Sequence, residues 1–281
     1  MTIAPPFDQD PVLAGLAGIT HGFFGRRAFP GPVSPDFDMS MTLGTPPETV
    51  AANRRRALIS LGLGNAGLAI VRQIHSARVV TVTAPFAPDH RPEEDRVAKL
   101  RANYAAEAQP EADALVTTRP GLALGILTGD CAPLLFADPK ARVIAACHAG
   151  RRGAATGIIG NTVAAMVKAG ARIDRIRAGI GPSISGANYQ LSWETIDQMA
   201  AFNPRVAGFA AVPEGRTEPH FDLPGFVLSE LERLGIAPPP LPACTYADPT
   251  RFFSHRRFTQ HGGAQGRQIS IIALMPIDND G

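Results

Sequence analysis

Between Asp113 and Ala146 four short apolar runs follow one another with only turn residues between them. They are Asp113-Ala-Leu-Val-Thr117, Leu122-Ala-Leu-Gly-Ile-Leu127, Leu134-Leu-Phe-Ala137 and Arg142-Val-Ile-Ala-Ala146. Runs of this length, bounded by Gly, Pro and Asp, read as strands rather than helices. Pro139-Lys140 predicts a tight hairpin between the last two. Further strands are expected at Leu68-Ala-Ile-Val-Arg-Gln-Ile74, Val79-Val-Thr-Val-Thr83, Ile176-Arg-Ala-Gly-Ile180 and Gln268-Ile-Ser-Ile-Ile-Ala-Leu274.

Helix signals are set among these strands. Thr45-Pro-Pro-Glu48 has the form of a capping box, and the helix it opens should stop at Gly62. Ala154 to Lys168, Trp193 to Phe202 and Asp222 to Leu234 carry helical periodicity, ending at Gly170 and Gly235 in the first and last cases. Residues 1–44 read as irregular, the first fifteen as loosely ordered, and residues 84–111 as a surface loop with a short helix. There is no internal repeat and no linker that divides the chain. The expectation is one α/β domain over 1–281, a layered fold with mixed sheets and flanking helices (mixed α+β).

Composition narrows the function classes. The 281 residues are 45% apolar and 19% charged, with a net charge of +2, too small to mark a nucleic-acid surface. No apolar run reaches membrane-spanning length, and the first ten residues lack the basic flank and apolar core of a signal peptide. Three widely spaced cysteines, Cys131, Cys147 and Cys244, argue for a reducing cytoplasm rather than a disulfide framework.

Three residues with ligand chemistry sit where strand-like runs end: His75 in Gln73-Ile-His75, Cys131 in Gly129-Asp-Cys-Ala-Pro133, and His148 in His148-Ala-Gly-Arg-Arg-Gly153. Two imidazoles and a thiolate form a three-ligand zinc set that leaves a fourth position for water. The separation, 55 residues and then 16, is not a short-pair finger pattern and does not by itself bring them together. A second chemistry is open to the same residues: a Cys131–His148 thiolate–imidazolium pair with Asp130 or Gln73 orienting the base. Cys147, next to His148 on a strand, points to the opposite face and reads as a small core residue.

Other strings are weaker alone. Arg151 and Arg152 lead into a helix start that suits a phosphate or carboxylate, and are equally at home as solvated arginines. Gly179-Ile-Gly181-Pro-Ser183-Ile-Ser-Gly186 is either a wrap around a substrate or a plain turn. Arg251-Phe-Phe253-Ser-His-Arg256-Arg257 and His21-Gly-Phe-Phe-Gly-Arg26-Arg27 are basic, aromatic patches. Aromatics of the first can stack a base and its arginines hold an anion, although a solvated loop explains it as well.

Taken together, in order and over nearly the whole chain, these strings resemble the YfiH family, also called the laccase-domain or DUF152 family. The resemblance rests on His21-Gly-Phe-Phe, Asn53-Arg54, Gln73-Ile-His75, Ala112-Asp-Ala-Leu-Val116, Gly129-Asp-Cys-Ala-Pro133, His148-Ala-Gly-Arg-Arg-Gly153, Ile180-Gly-Pro-Ser-Ile184, Cys244-Thr245, Phe253-Ser-His-Arg-Arg257 and Gly266-Arg-Gln268. It implies that His75, Cys131 and His148 are metal ligands, the metal being zinc with copper as second choice. It implies a compact α/β fold shared with a toxin's cysteine deamidase domain.

It also implies phosphorolysis of adenosine, inosine or methylthioadenosine, and deamination of adenosine, in a cytoplasmic monomer or weak homodimer. The partners are then a nucleoside and phosphate, with no nucleic acid and no membrane. Within that reading Asp130 is a candidate proton carrier. Arg26 or Arg54 and the helix start after Gly153 hold phosphate, and Gln73, Arg151, Arg152, Gly181, Ser183, Phe253 and Arg256 contact substrate. A second activity of the family removes misincorporated serine from a UDP-muramoyl precursor. Polyphenol oxidation ranks last, because one Cys and two His cannot ligate four coppers. The chain departs from the family pattern where Trp is usual, at Arg151, and at Ser183, Gln190 and His255.

Overall fold

The computed structural model describes residues 7–27, 36–84 and 109–275. In chain order the first elements are β1 (Phe7–Asp8), α1 (Pro11–Ala14), β2 (Ile19–Phe24), α2 (Pro47–Ser60), β3 (Gly67–Ala69) and β4 (Val79–Thr81). The apolar block becomes β5 (Ala114–Thr117), β6 (Leu122–Thr128), β7 (Ala132–Asp138) and β8 (Val143–Ala149). Then come α3 (Arg151–Ala155), α4 (Ile158–Lys168), β9 (Arg177–Ile180), α5 (Trp193–Ala200), β10 (Ala210–Ala211) and β11 (His220–Phe221). The last are α6 (Leu223–Arg233), α7 (His255–His261) and β12 (Gln268–Leu274).

Among the described residues the long strands form two five-stranded sheets, ordered β1-β2-β12-β6-β3 and β4-β5-β8-β7-β9. Both are mixed: β3 runs parallel to β6 and β4 parallel to β5, while the remaining pairs are antiparallel. The sheets face each other. Leu124, Ile126, Ile272 and Leu274 of one pack on Leu115, Leu135, Ile144 and Ala146 of the other. On the outer face of the first sheet, Ile269, Ile271 and Ala273 meet Ala57 and Leu58 of α2. On the outer face of the second, Leu134, Phe136 and Ala145 meet Ile158 and Val163 of α4 and Phe226 and Leu231 of α6.

This helix–sheet–sheet–helix stack explains the sequence. Side chains alternate across a strand, so Leu134 and Phe136 go to one core and Leu135 and Ala137 to another. A strand with a core on both faces has no reason to alternate polar and apolar residues, hence the unbroken apolar runs. No helix among the described residues is long and apolar enough to cross a membrane.

Several local expectations are corrected. Residues 7–24, read as loosely ordered or irregular, supply β1, α1 and the interior strand β2. The His21-Gly-Phe-Phe segment is no basic patch: its side chains are buried. Ile19, Thr20, Phe23 and Phe24 are strand formers, and the glycines around them hid that signal. Thr45 does not cap α2; its hydroxyl donates to Asp38 Oδ2 at 2.7 Å, and Pro46 is the cap residue. The β7–β8 connection has four residues, 139–142, organised by Asp138 Oδ1 accepting from the N–H groups of Lys140 and Ala141 at 3.0 Å. The helix expected over 154–168 starts earlier and is broken at Gly157, where φ is +93°. Phe253 to Arg257, expected as a loop, opens helix α7 behind a Ser254 cap. The expected loop over residues 84–111 falls almost wholly outside the described residues, as do residues 1–6.

His21 couples this core to pH. Its Nε2 accepts the Asp10 N–H at 2.9 Å and the residue has no solvent exposure. Burial, only partly offset by Asp10, lowers its pKa to about 4. The unfolded chain therefore binds a proton at a pH where the folded protein does not, so stability should fall as pH drops from about 6.5 toward 4. The expected loss is about 3 kcal/mol. Urea unfolding from pH 8 to pH 4.5 should show this slope in wild type and a much shallower one in His21→Gln; equal slopes would remove His21 from the account.

Candidate metal centre

The register of the second sheet assembles the site. In the β7–β8 hairpin Ala132 pairs with Ala149 and Pro133 with His148, so Cys131, one residue before β7, lies beside the end of β8. In the β5–β8 pair Ala114 is opposite Cys147, which brings Asp113 against His148; the His148 N–H donates to the Asp113 carbonyl at 2.7 Å. The segment leading into β4 delivers His75 to the same end of the sheet, because β4 pairs in parallel with β5. The donor atoms of His75, Cys131 and His148 all lie within 4.8 Å of one another. The two imidazole rings are 4.9 Å apart at 74°.

Asp113, with no exposed surface, holds this arrangement. Its Oδ1 accepts from His148 Nδ1 at 2.9 Å and from the His75 N–H at 2.9 Å. Its Oδ2 accepts from the Ser76 N–H at 2.6 Å, the Ser76 hydroxyl at 2.7 Å and the Ile74 N–H at 3.3 Å. Burial opposes its charge, but His148 and Ser76 outweigh that and hold its pKa down to about 2. Three successive N–H groups closing on one carboxylate form an anion nest, which stabilises the left-handed backbone of His75 at φ +58°. The bond to Nδ1 fixes the His148 tautomer and leaves Nε2 for the ligand position.

Cys131 is favoured as thiolate: burial works against it, but the His148 and His75 imidazoles beside it prevail. The same thiolate, with Asp113, favours the protonated form of His148 against the cost of its burial. Gly150 closes one side. A Cβ there would come within 2.9 Å of Cys131 Sγ and 3.1 Å of His75 Cδ2. Cys147 is a core residue whose thiol burial pushes up to about 12.

The set fits a metal. Zinc with nitrogen ligands near 2.0 Å and sulfur near 2.3 Å needs donors roughly 3.5 Å apart, a small contraction from the spacing seen. Two imidazoles and a thiolate suit zinc or copper. It is the one metal-ligating group of three or more among the described residues.

Most other residues expected at the site serve elsewhere. Asp130, at φ +129°, accepts from the Thr245 hydroxyl at 2.7 Å and the Arg256 N–H at 2.6 Å. Burial pushes its pKa up against those bonds, and it anchors the start of α7. Arg26 is engaged by Asp36, with Nε to Oδ1 at 2.6 Å and Nη2 to Oδ2 at 3.0 Å, so its charge is already neutralised. Arg54 is buried and donates from Nε and Nη2 to the Met39 carbonyl. The Gln73 amide bridges both backbone groups of Leu127, at 2.7 and 2.9 Å. Gly181 is needed because a Cβ would meet Phe23 at 2.2 Å. Ser183 is buried, its Oγ without a hydrogen-bond partner. Phe253 is 1% exposed, packed beneath Gly266, and offers no free face to a base. Arg152 is exposed.

Arg151 and Arg256 are different. Both line a cleft of about 450 Å³ with Gln190, Ser192, Glu218 and Gln260. Arg151 opens α3 three residues after His148, which sets this end of the cleft near the trio. The residue that sequence reasoning passed over is Asp113. Its signal was an acid directly ahead of a fully apolar strand, a position that burial permits only with a dense set of donors.

Comparison with known proteins agrees with this architecture. A DUF152 protein of Neisseria meningitidis superposes with a TM-score of 0.71 at 28% identity, over 92% of this chain and 96% of that one. The YfiH protein of Bacillus licheniformis gives 0.73 at 26% identity, over 91% and 92%. Among sequence relatives, a protein of Streptomyces coelicolor named purine nucleoside phosphorylase is 35% identical over 259 residues, 92% of this chain and 96% of its own. One of Mycobacterium tuberculosis with the same name is 34% identical over 242 residues, 84% of each chain. The family model described as multi-copper polyphenol oxidoreductase laccase matches residues 20–275. With that match added to the fold and to relatives above 30% identity, the chain belongs to this laccase-like, DUF152 family.

Proposed function

We propose that this protein is a cytoplasmic zinc-dependent purine nucleoside phosphorylase, acting on adenosine, inosine or methylthioadenosine and also deaminating adenosine. The observation that carries the reading is the convergence of His75, Cys131 and His148, in a chain whose relatives bear the phosphorylase name. When bound, zinc supplies a Lewis acid with a position open to substrate. Asp113 keeps His148 in the tautomer that presents Nε2 and keeps the His75 segment in its left-handed turn. The two imidazoles hold Cys131 as thiolate. Gly150 keeps that flank free of any side chain. In phosphorolysis a phosphate oxygen bonds to the ribose C1′ as the bond from C1′ to the purine nitrogen breaks. The purine leaves with the electron pair and takes up a proton.

Protein loaded with zinc and given adenosine and phosphate should yield adenine, ribose 1-phosphate, inosine and hypoxanthine on chromatography. Cys131→Ala and His75→Ala should fall to background. Product formation by His75→Ala at the wild-type rate would refute the proposal.

A second reading has one observation in its favour. Cys131, His148 and Asp113 stand in the order of a thiolate, its base and the base's orienting carboxylate. That arrangement suits a metal-free hydrolase acting on an amide, such as an amino-acid-bearing peptidoglycan precursor. Metal depletion separates the two. A chelated, zinc-free protein should lose nucleoside turnover and regain it on zinc addition; undiminished turnover would favour the thiolate enzyme.

Asp113 generates its own prediction. Asp113→Asn should weaken zinc binding by about 10- to 100-fold. Competition with a chromophoric chelator reads this directly, and an unchanged dissociation constant would show that the carboxylate does not support the ligands.

A further inference from the structure

The phosphorylase reading needs a place for phosphate, and Arg26 and Arg54, the arginines first suited to it, are held by Asp36 and the Met39 carbonyl. The cleft beside the trio offers another pair. Arg151 Nη1 lies 3.3 Å from the Tyr189 hydroxyl, and the Arg256 guanidinium sits 5.2 Å from the centroid of the same ring. Tyr189 is 7% exposed, so one buried ring gathers two cations at the cleft wall. Arg256 Nη1 also donates to the Gln190 carbonyl at 2.7 Å, which holds the guanidinium in place.

Neither guanidinium forms a salt bridge among the described residues. By contrast Arg26, Arg72, Arg172, Arg175, Arg233 and Arg251 each meet a carboxylate. Glu218 is the acid that lines the cleft, and it is not ion-paired to either arginine. Two like charges gathered on one ring, with no carboxylate in salt-bridge contact among the described residues, repel each other, and a bound anion would relieve that repulsion. Guanidinium nitrogens not used by Tyr189 or Gln190 are directed by their planar fork toward oxyanions. A cleft of about 450 Å³ has room for a phosphate and more.

We propose that this cleft is a phosphoryl-binding subsite in which Arg151 and Arg256 hold a phosphate group next to the His75–Cys131–His148 trio. The group is either inorganic phosphate or the ester phosphate of a nucleotide substrate. As a cosubstrate site it rests on the phosphorylase reading; as an anion site it does not.

The test is titration calorimetry of the zinc-loaded protein with sodium phosphate and, separately, with adenosine 5′-monophosphate, at ionic strength matched with sodium chloride. Arg151 is exposed at the cleft, so Arg151→Gln should fold as wild type does. It should bind the relevant ligand about 10- to 100-fold more weakly, the loss expected for one charged hydrogen-bonding group. Arg151→Lys should recover part of that. Weakened binding of inorganic phosphate, with a raised KM for phosphate and little change in KM for nucleoside, identifies the cosubstrate. Weakened binding of the nucleotide alone identifies the ester. No binding of either ligand by wild type, or equal binding by wild type and Arg151→Gln, overturns the subsite.

The two proposals fail separately. Phosphate binding that depends on Arg151 in a protein without phosphorolysis leaves the subsite standing and removes the proposed activity. Phosphorolysis does the reverse in a protein whose Arg151→Gln variant binds both phosphate and adenosine 5′-monophosphate as tightly as wild type.

Discussion

One buried carboxylate organises the functional end of this protein. Asp113 accepts from the imidazole of His148, from three successive N–H groups of the His75 segment and from the Ser76 hydroxyl. A carboxylate with no solvent contact is tolerated only when such a set of donors replaces its water. The requirement runs both ways. The donors keep Asp113 charged, and the charge keeps His75 in a left-handed conformation that a non-glycine residue rarely adopts. His148 gains its tautomer from the same centre, and its imidazole, with that of His75, favours the Cys131 thiolate.

The scaffold around that centre is rigid where it matters. Asp113, Cys131 and His148 sit at the ends of three hydrogen-bonded strands buried between two cores. Side-chain amides extend the ladder where backbone pairing stops. Gln73 bridges Leu127, and Gln268 bridges Phe253 through both its donor and its acceptor. Each ties a loop that approaches the site to a strand of the first sheet. Asp130 does the same for α7, through Thr245 and the Arg256 N–H. Gln73 and Asp130, expected at the substrate, are thus bonded to backbone and side chains of neighbouring segments. The cleft carries two arginines, Arg151 and Arg256, that form no salt bridge among the described residues.

The family description speaks of several coppers, and the site here is one three-ligand set. Two imidazoles and one thiolate suit a single borderline or soft ion, and an arrangement of several redox metals needs many more ligands. The same donors without a metal form a thiolate–imidazole–carboxylate series. Chemistry at this site therefore depends first on whether the ion is bound, and next on what the neighbouring arginines hold.

Local physics made much of the fold readable. Unbroken apolar runs such as Leu134 to Ala137 announced strands buried on both faces, and Gly62, Gly170 and Gly235 ended their helices because each adopts positive φ. The hairpin around Pro139 was enough to bring Cys131 opposite the end of the His148 strand, since antiparallel pairing fixes which residues meet. The position of β2 was not read, because Gly18, Gly22 and Gly25 interrupt a short run of strand formers, Ile19, Thr20, Phe23 and Phe24, with residues that usually mark turns. Nor was the approach of His75 to the other two ligands, or the support they share. His75 arrives by a parallel β4–β5 pairing across a long separation, and no local rule specifies such a partner. By itself the sequence determined the apolar strands from β5 to β8 and β12, the ligand types and the family they resemble. Only the tertiary structure decided that Asp113 is their common support, that Arg26 and Arg54 are neutralised or bonded elsewhere, and that Arg151 and Arg256 face the cleft. Those outcomes depend on burial and on which charges meet, and both are set by contacts between distant segments.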